Sequence, residues 1–300
     1  MPHFRVINAA VTPFTAEGKL DLKSAARLYE HSLACGLDGF FLFGSMGEWS
    51  LLTQDEQNAL AEVACATISQ RARLLFGIHD VSLPRILGNM ERLSRFSHSH
   101  WAVILPGGWA GPADIVSYVH RLADAADRPL FVYHLPQLNG LNPSLAQWRA
   151  ILAHPKVAGL KNSAGMMRPR KELQMLKREL PFELYEGDEW AIDEALALGH
   201  DGVIVGFASL GGRLLRAIAD AAGAGKHDEA RALQYELIEI FHQIYGENTA
   251  WWSIGQKYGL QQLGILDHAA TRVESQRVLP PERQAIIRTC LDQHARWFQR

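Results

Sequence analysis

Cysteine is scarce in this 300-residue chain, and no long run of one charge occurs in it. The three cysteines, Cys35, Cys65 and Cys290, are an odd number, lie far apart and form no C-x-x-C pair. They are therefore expected to be reduced packing thiols rather than disulfides or zinc ligands. The 30 basic and 32 acidic residues give a formal net charge of −2. We therefore expect neither nucleic acid nor an anionic membrane as a partner.

Apolar segments of membrane-spanning length are also missing. The first eight residues lack the basic region and apolar stretch of an export signal, and no segment approaches the roughly 20 apolar residues of a transmembrane helix. We therefore expect a cytoplasmic protein that does not enter the membrane. His98 and His100 resemble a metal site only superficially, because no third ligand is spaced to complete it, and no metal is expected.

What the sequence does contain is a regular alternation of short apolar runs with amphipathic stretches. The eight runs, rich in β-branched and aromatic residues, cover residues 6–11, 39–43, 74–78, 101–105, 130–133, 157–160, 182–185 and 202–205. Helix starts lie between them, such as Thr53 with Glu56 as a capping box and Asn142 followed by Pro143. Eight such units predict an α/β protein with parallel strands and right-handed crossovers, closed into a (β/α)8 TIM barrel.

A doubly wound open sheet is the structural alternative to the barrel. Its nucleotide-binding form requires G-x-G-x-x-G after the first strand, and the segment 11–14, V-T-P-F, does not match. After about residue 225 the strand pattern stops, and residues 228–245, 248–263 and 281–298 are predicted to be helical. The chain is accordingly divided into a catalytic barrel, residues 1–225, and a C-terminal helical domain, residues 226–300.

One lysine, Lys161, ends the sixth apolar run. A side chain at the exit of a buried strand is poorly solvated, and desolvation favours the neutral amine, the nucleophile that attacks a ketone to form a Schiff base. A lone lysine at a strand end is more often a solvated charge. The neighbouring strand ends therefore have to decide between the two interpretations, because the carboxyl ends of all barrel strands share one rim.

Two other strand ends carry unusual sequences. The second strand leads into G-S-M-G-E at 44–48, where two glycines flanking a hydroxyl can expose backbone N–H groups to an anion such as a carboxylate. The fifth strand leads into Y-H-L-P at 133–136, and the sixth ends in G-L-K at 159–161. Each motif alone is weak, but the combination is specific.

Together these segments resemble the family of dihydrodipicolinate synthase and N-acetylneuraminate lyase, the pyruvate-dependent class I aldolases. The patterns of that family are G-[ST]-T-G-E, Y-N-x-P and G-x-K, and their order, spacing and strand placement agree with this chain across about the first 210 residues. Further matches are G-D-E at 187–189, G-V-I at 202–204 and Q-K-Y-G-L at 256–260.

The resemblance implies that Lys161 forms a Schiff base with the 2-oxo carbon of pyruvate or a longer 2-oxo acid, with no cofactor beyond this covalent imine. Tyr133 would be the proton shuttle, a role that requires hydrogen-bond reach to the reacting oxygen. Ser45 and the backbone around Met46 would hold the substrate carboxylate, with main-chain contacts from Ile204. The resemblance also suggests a homotetramer.

Other rim residues are candidates for contacts with the rest of the substrate. Ser163 could bond a substrate hydroxyl or cap the following segment. Gly187, Asp188 and Glu189 are candidates for the polyol end of a sugar acid, although the two carboxylates also suit a helix N-terminus. His79 follows the third strand on the same rim and could contact substrate hydroxyls.

Three departures from the family pattern narrow the substrate. Met46 removes one hydroxyl from the carboxylate loop, Gly108 lies where the synthase has paired tyrosines, and Leu138 replaces the synthase's arginine. These changes disfavour dihydrodipicolinate synthase itself. We predict a Schiff-base lyase that cleaves a 2-keto-3-deoxy sugar acid to pyruvate and an aldehyde. The alternatives are a dehydratase of such an acid that uses the same imine, and a non-catalytic sugar-acid sensor, which would need neither a nucleophile nor a proton shuttle.

Overall fold

The computed structural model describes residues 2–298, apart from the side chain at position 109. Eight parallel strands form one closed barrel in sequence order, which confirms the predicted TIM barrel. The strands are β1 (Arg5–Ala9), β2 (Gly39–Leu42), β3 (Arg73–Gly77), β4 (His100–Val103), β5 (Leu130–His134), β6 (Val157–Asn162), β7 (Glu183–Glu186) and β8 (Gly202–Val205). Each strand begins and ends within two residues of the predicted apolar run.

Helices alternate with the strands and continue beyond the barrel. The barrel helices are α1 (Leu22–Ala34), α2 (Gln54–Ile68), α3 (Leu83–Leu93), α4 (Ile115–Ala125), α5 (Pro136–Asn139), α6 (Leu145–Leu152), α7 (Met167–Lys177), α8 (Ile192–Ala197) and α9 (Ala208–Gly223). The tail helices are α10 (His227–Tyr245), α11 (Ile254–Gln262), α12 (Pro281–Gln293) and α13 (Ala295–Phe298). Among the described residues, no helix has both the length and the apolarity needed to cross a membrane.

The predicted helix starts are right in one case and wrong in the other. Thr53 and Glu56 form the expected reciprocal capping box at the start of α2. The start predicted at Asn142 is wrong, because α6 begins two residues later. Ser144 accepts a hydrogen bond from the Gln147 backbone N–H, and the Gln147 side chain accepts one from the Ser144 N–H. This second capping box satisfies two free N–H groups at once, which a proline after Asn142 cannot do.

Strand alternation divides the barrel side chains into two sets. Since successive residues of a strand point to opposite faces, one set packs outward under the helices and the other fills the barrel. The interior set consists of Ile7, Ala9, Phe41, Leu75, Ala102, Ile104, Phe131, Tyr133, Tyr185 and Ile204. Lys161 pairs in register with Tyr133 on β5 and Tyr185 on β7, so its side chain belongs to this interior face.

The tail helices share a hydrophobic core with one side of the barrel. Helix α10 packs against α8 and α9, and its buried stripe includes Leu237, Ile240 and Ile244. The same apolar cluster contains Val6 of β1 and Val203 of β8. The helical tail therefore packs directly on the barrel.

Candidate active site

Lys161 and Tyr133 meet at the mouth of the barrel. Lys161 is only 5% exposed, and its Nζ lies 4.1 Å from the centre of the Tyr133 ring and 5.4 Å from that of Phe41. Within the described part of the chain, the amine has no carboxylate partner at ion-pair distance. The two residues predicted from separate motifs are thus neighbours, and the amine is not engaged in an ion pair that would block its reaction.

Gly187 makes room for the lysine. A Cβ at this position would lie 2.1 Å from Ser163 Oγ and 2.7 Å from Lys161 Cε, distances that real atoms do not occupy. The Ser163 hydroxyl donates to the Gly187 carbonyl at 3.1 Å, which ties the end of β6 to the end of β7. Ser163 therefore helps to hold the walls of the site, and its contact with a substrate hydroxyl stays a prediction.

The segment 44–48 contributes a buried hydroxyl without a partner. Residues Ser45–Gly47 form a single 3-10 turn after β2, and Ser45 Oγ is buried with no hydrogen-bond partner among the described residues. The Met46 side chain lies over Gly206, where a Cβ would be 2.3 Å from Met46 Cγ. An unpaired buried hydroxyl is costly unless something bonds to it, so this turn suits an oxygen-bearing ligand.

The last residue of this segment, Glu48, has a role that the motif did not reveal. Its backbone is left-handed (φ 54°), and its fully buried carboxylate forms an ion pair at 2.5 Å with Lys257 of α11. The hydroxyls of Ser253 and Thr271 and the Arg272 backbone N–H also donate to it. Both charged residues lie in segments that matched the family pattern, yet their pairing was not predicted. It anchors the turn to the helical tail.

His79 is buried among aromatic rings beside the lysine. Its ring centre lies 6.4 Å from that of Tyr133 and 5.9 Å from that of Phe41. The Ile104 backbone N–H donates to Nδ1 at 2.8 Å, whereas the buried Nε2 has no partner among the described residues. Burial, with a smaller contribution from the positive charge of Lys161, lowers the pKa of His79 to about 3. The imidazole is therefore neutral, and because Nδ1 accepts, Nε2 carries the proton.

Asp188 and Glu189 are already bonded within the protein. Asp188 accepts from the Trp190 backbone N–H at 3.3 Å and lies 3.4 Å from Arg170 Nη2. Glu189 Oε1 accepts from the backbone N–H groups of Gly206 and Phe207 at 3.0 and 3.2 Å. Burial raises the pKa of Glu189. Both carboxylates thus serve turns at the ends of β7 and β8, and their predicted binding of a polyol stays a prediction.

The remaining predicted residues lie on the same rim. Ile204 is buried in the barrel interior opposite Ile7. Leu138 is 59% exposed after β5, and Gly108 adopts a left-handed turn (φ 58°) after β4. Its conformation suits glycine rather than the tyrosine of the synthase pattern.

A small cavity lies between these strand ends and was not predicted. Its volume is about 170 Å³, and its lining includes Trp49, His79, Ile104, Leu105, Pro106 and Leu138. Among the described residues, no group of three or more His, Cys, Asp or Glu side chains could hold a metal ion.

A closed barrel with a buried lysine beside a tyrosine at its mouth is the arrangement expected of the class of enzyme that the motifs resemble, the lyases of the dihydrodipicolinate synthase and N-acetylneuraminate lyase type. The particular family follows from comparison with known sequences. The model of the dihydrodipicolinate synthetase family matches residues 3–278, and the chain belongs to that family.

Individual relatives agree with this assignment. The chain is 29% identical over 249 residues to a 4-hydroxy-tetrahydrodipicolinate synthase of Synechococcus, covering 82% of this chain and 80% of that one. It is 29% identical over 256 residues to 4-hydroxy-tetrahydrodipicolinate synthase 2 of Streptomyces coelicolor, covering 81% of each.

Solved structures share the fold. A dihydrodipicolinate synthase from Bacteroides thetaiotaomicron superposes with a TM-score of 0.89 at 23% identity, covering 98% of this chain and 99% of that one. CdNal from Clostridium difficile, solved with mannosamine, gives 0.88 at 20% identity, with 99% of both chains covered.

Proposed function

We propose that this enzyme is a class I aldolase in which Lys161 forms an imine with the 2-oxo carbon of a 2-oxo acid. The observation that carries the proposal is the buried Lys161 amine, held 4.1 Å from the Tyr133 ring with no carboxylate partner among the described residues. A buried amine that no carboxylate occupies is available to attack a carbonyl carbon bound beside it.

Cleavage of a 4-hydroxy-2-oxo acid would proceed through this imine. The amine adds to carbon 2, and the Tyr133 hydroxyl gives its proton to the oxygen that leaves carbon 2 as water. This leaves a Tyr133 phenolate and a protonated imine, which becomes the electron acceptor. The bond between carbons 3 and 4 breaks, its electron pair moves into the imine to give an enamine, and Tyr133 takes the proton from the carbon-4 hydroxyl. An aldehyde departs. Tyr133 then passes that proton to carbon 3 of the enamine. Water hydrolyses the resulting imine and returns a proton to Tyr133, which releases pyruvate and the free lysine.

The turn at 45–47 is proposed to hold the carboxylate of the 2-oxo acid. The unpaired Ser45 hydroxyl supports this role, because a carboxylate oxygen would satisfy a donor that the protein leaves open. The backbone of Met46 and the main chain at Ile204 are proposed as further contacts.

The predicted homotetramer and cytoplasmic location remain predictions.

The substrate predicted from the sequence is a 2-keto-3-deoxy sugar acid. The exposed Leu138, which offers no cation to a second carboxylate, supports a substrate other than that of the synthase. Pyruvate release scored against loss of water on a panel of 2-keto-3-deoxy acids separates a lyase from a dehydratase. A sensor would bind these acids and yield neither product.

Borohydride reduction in the presence of pyruvate tests the imine directly. We expect mass spectrometry to find one reduced pyruvate adduct, on the Lys161 peptide. The variant Lys161→Ala should give none, whereas Lys171→Ala, at an exposed position of α7, should be labelled like the parent. The buried Lys257 provides an internal comparison, since its ion pair with Glu48 occupies the amine. An unmodified Lys161 peptide would refute the proposal.

A further inference from the structure

The cavity lies next to the proposed reaction site, because it shares His79 with the group of aromatic rings around Lys161. Its lining includes His79 and Ile104, and Ile104 belongs to the same interior cluster as Tyr133. The His79 and Tyr133 ring centres are 6.4 Å apart, and the Tyr133 ring lies 4.1 Å from Lys161 Nζ. His79 is therefore both part of the cavity wall and a neighbour of the Tyr133 ring, next to which carbon 2 of a substrate would be bonded to Lys161.

The described walls of the cavity are mainly apolar. Trp49, Ile104, Leu105, Pro106 and Leu138 provide hydrocarbon surface around a volume of about 170 Å³. In another protein, an apolar cavity of about 150 Å³ takes up benzene. A phenyl ring or a branched alkyl group thus matches the available space, whereas the whole substrate does not.

Two polar residues of the lining are bonded within the protein. Asn139 donates from Nδ2 to the Leu105 carbonyl at 3.0 Å and accepts from the Leu141 N–H at 2.9 Å. Asp80 accepts from the Val81 N–H at 2.7 Å and from Arg85. A polyol placed here would lose its bonds to water and find few partners among the described lining residues, which disfavours its binding.

His79 is the exception, because it offers an unused donor. Nδ1 accepts from the Ile104 N–H, so the proton is on Nε2, which is buried and unpaired among the described residues. Glycine at position 77 leaves space for His79 Nε2 on the barrel interior, since a Cβ at this position would lie 2.8 Å from that nitrogen. One fixed donor beside apolar walls fits one oxygen atom next to an apolar group.

We propose, in place of the sugar acid predicted from the sequence, a 4-hydroxy-2-oxo acid with an aryl or branched alkyl group on carbon 4. That group fills this cavity, and His79 Nε2–H donates to the carbon-4 oxygen. The inference rests on the proposed imine at Lys161. In the cleavage step described above, the carbon-4 oxygen becomes the aldehyde carbonyl and Tyr133 receives its proton. His79 keeps its own proton throughout and stabilises that oxygen by a hydrogen bond.

Two substrates that differ mainly in the carbon-4 group test the inference. Pyruvate release is measured from 4-hydroxy-4-phenyl-2-oxobutanoate and from 2-keto-3-deoxygluconate, together with the borohydride adduct of pyruvate. We expect kcat/KM to be at least about tenfold higher for the phenyl compound, the scale on which an apolar pocket discriminates. The variant Leu138→Asn, at an exposed rim position, should reduce that preference severalfold while the adduct forms as before.

Variants of His79 separate a bonding role from a structural one. His79→Phe removes the donor, and we expect kcat for the phenyl compound to fall by about 100-fold with adduct formation unchanged. His79→Gln, which can still present an N–H, should restore at least a tenth of the parent kcat. Equal loss in both variants, with both folded and forming the adduct, would refute the donor role.

The outcomes distinguish the two proposals. If the adduct forms and the polyol acid is cleaved as well as or better than the phenyl compound, the inference about the apolar group is wrong and the imine stands. If no adduct forms at Lys161, the proposed function fails and this inference fails with it.

Discussion

The buried pair of Glu48 and Lys257 provides a sharp test of how the tail supports the site. Both side chains are fully buried, and their charged atoms are 2.5 Å apart. Removal of one partner of a buried pair costs about 3–5 kcal/mol, because the other charge is left without compensation. Each single substitution should therefore destabilise the protein far more than a surface change.

Substitution of Lys257 and substitution of Glu48 should lower the free energy of unfolding by different amounts. In Lys257→Met, the Glu48 carboxylate keeps three donors, from Ser253, Thr271 and the Arg272 backbone, and we expect a loss of about 3 kcal/mol. In Glu48→Gln, the ammonium loses its counter-charge. Among the described residues it keeps the Ala270 carbonyl at 3.0 Å, the face of Phe14 and a neutral amide oxygen at position 48, and we expect a loss of about 4 kcal/mol.

The double variant provides the decisive comparison. Glu48→Gln with Lys257→Met removes both charges, so we expect a total loss of about 3 kcal/mol rather than the sum of about 7. Urea unfolding followed by circular dichroism at one protein concentration measures all three free energies. Arg168→Gln, in a surface pair with Glu172, is the control and should leave the free energy of unfolding nearly unchanged. Additive losses, or single losses below about 1 kcal/mol, would refute the reasoning.

Three further perturbations have defined outcomes. Gly187→Ala should lower kcat/KM by at least about 100-fold, because the added Cβ displaces Lys161. Gly88→Ala, on an exposed and open position of α3, is its control and should raise stability by about 1 kcal/mol. Equal kcat/KM values for the two variants would contradict the packing argument. As the pH falls from 6.5 towards 3, the unfolded chain binds a proton that folded His79 does not, so stability is lost. The His79→Asn variant does not have this pH-dependent loss. The difference in free energy of unfolding between parent and variant, measured by denaturant titration, should therefore become smaller by about 2 kcal/mol from pH 7 to pH 5. A difference that stays constant would show that His79 titrates normally. Thr53→Ala should cost about 1 kcal/mol by thermal unfolding, and no change would mean that the capping box contributes nothing.

Much of the fold was predictable because its signals are local. A buried parallel strand is a short apolar run, and an intervening helix shows a cap and an amphipathic face. Thr53 confirmed this reasoning, whereas Asn142 did not, because Ser144 offers a stronger cap two residues later. Competing caps a few residues apart differ by less free energy than sequence patterns resolve.

The sequence alone determined the barrel and the placement of Lys161 and Tyr133 on one rim. In a closed barrel of parallel strands, the carboxyl ends of all the strands lie on the same rim. The tertiary structure alone decided which groups meet. Glu48 and Lys257 are separated by 209 positions, and no periodicity links them. Likewise, the neutral state of His79 follows from its burial and from the Ile104 N–H. The apolar cavity is formed by the segments that follow four strands, which contact one another only in the folded chain. Hydrogen bonding, desolvation and cavity shape depend on distances between remote segments, and those distances exist only after folding.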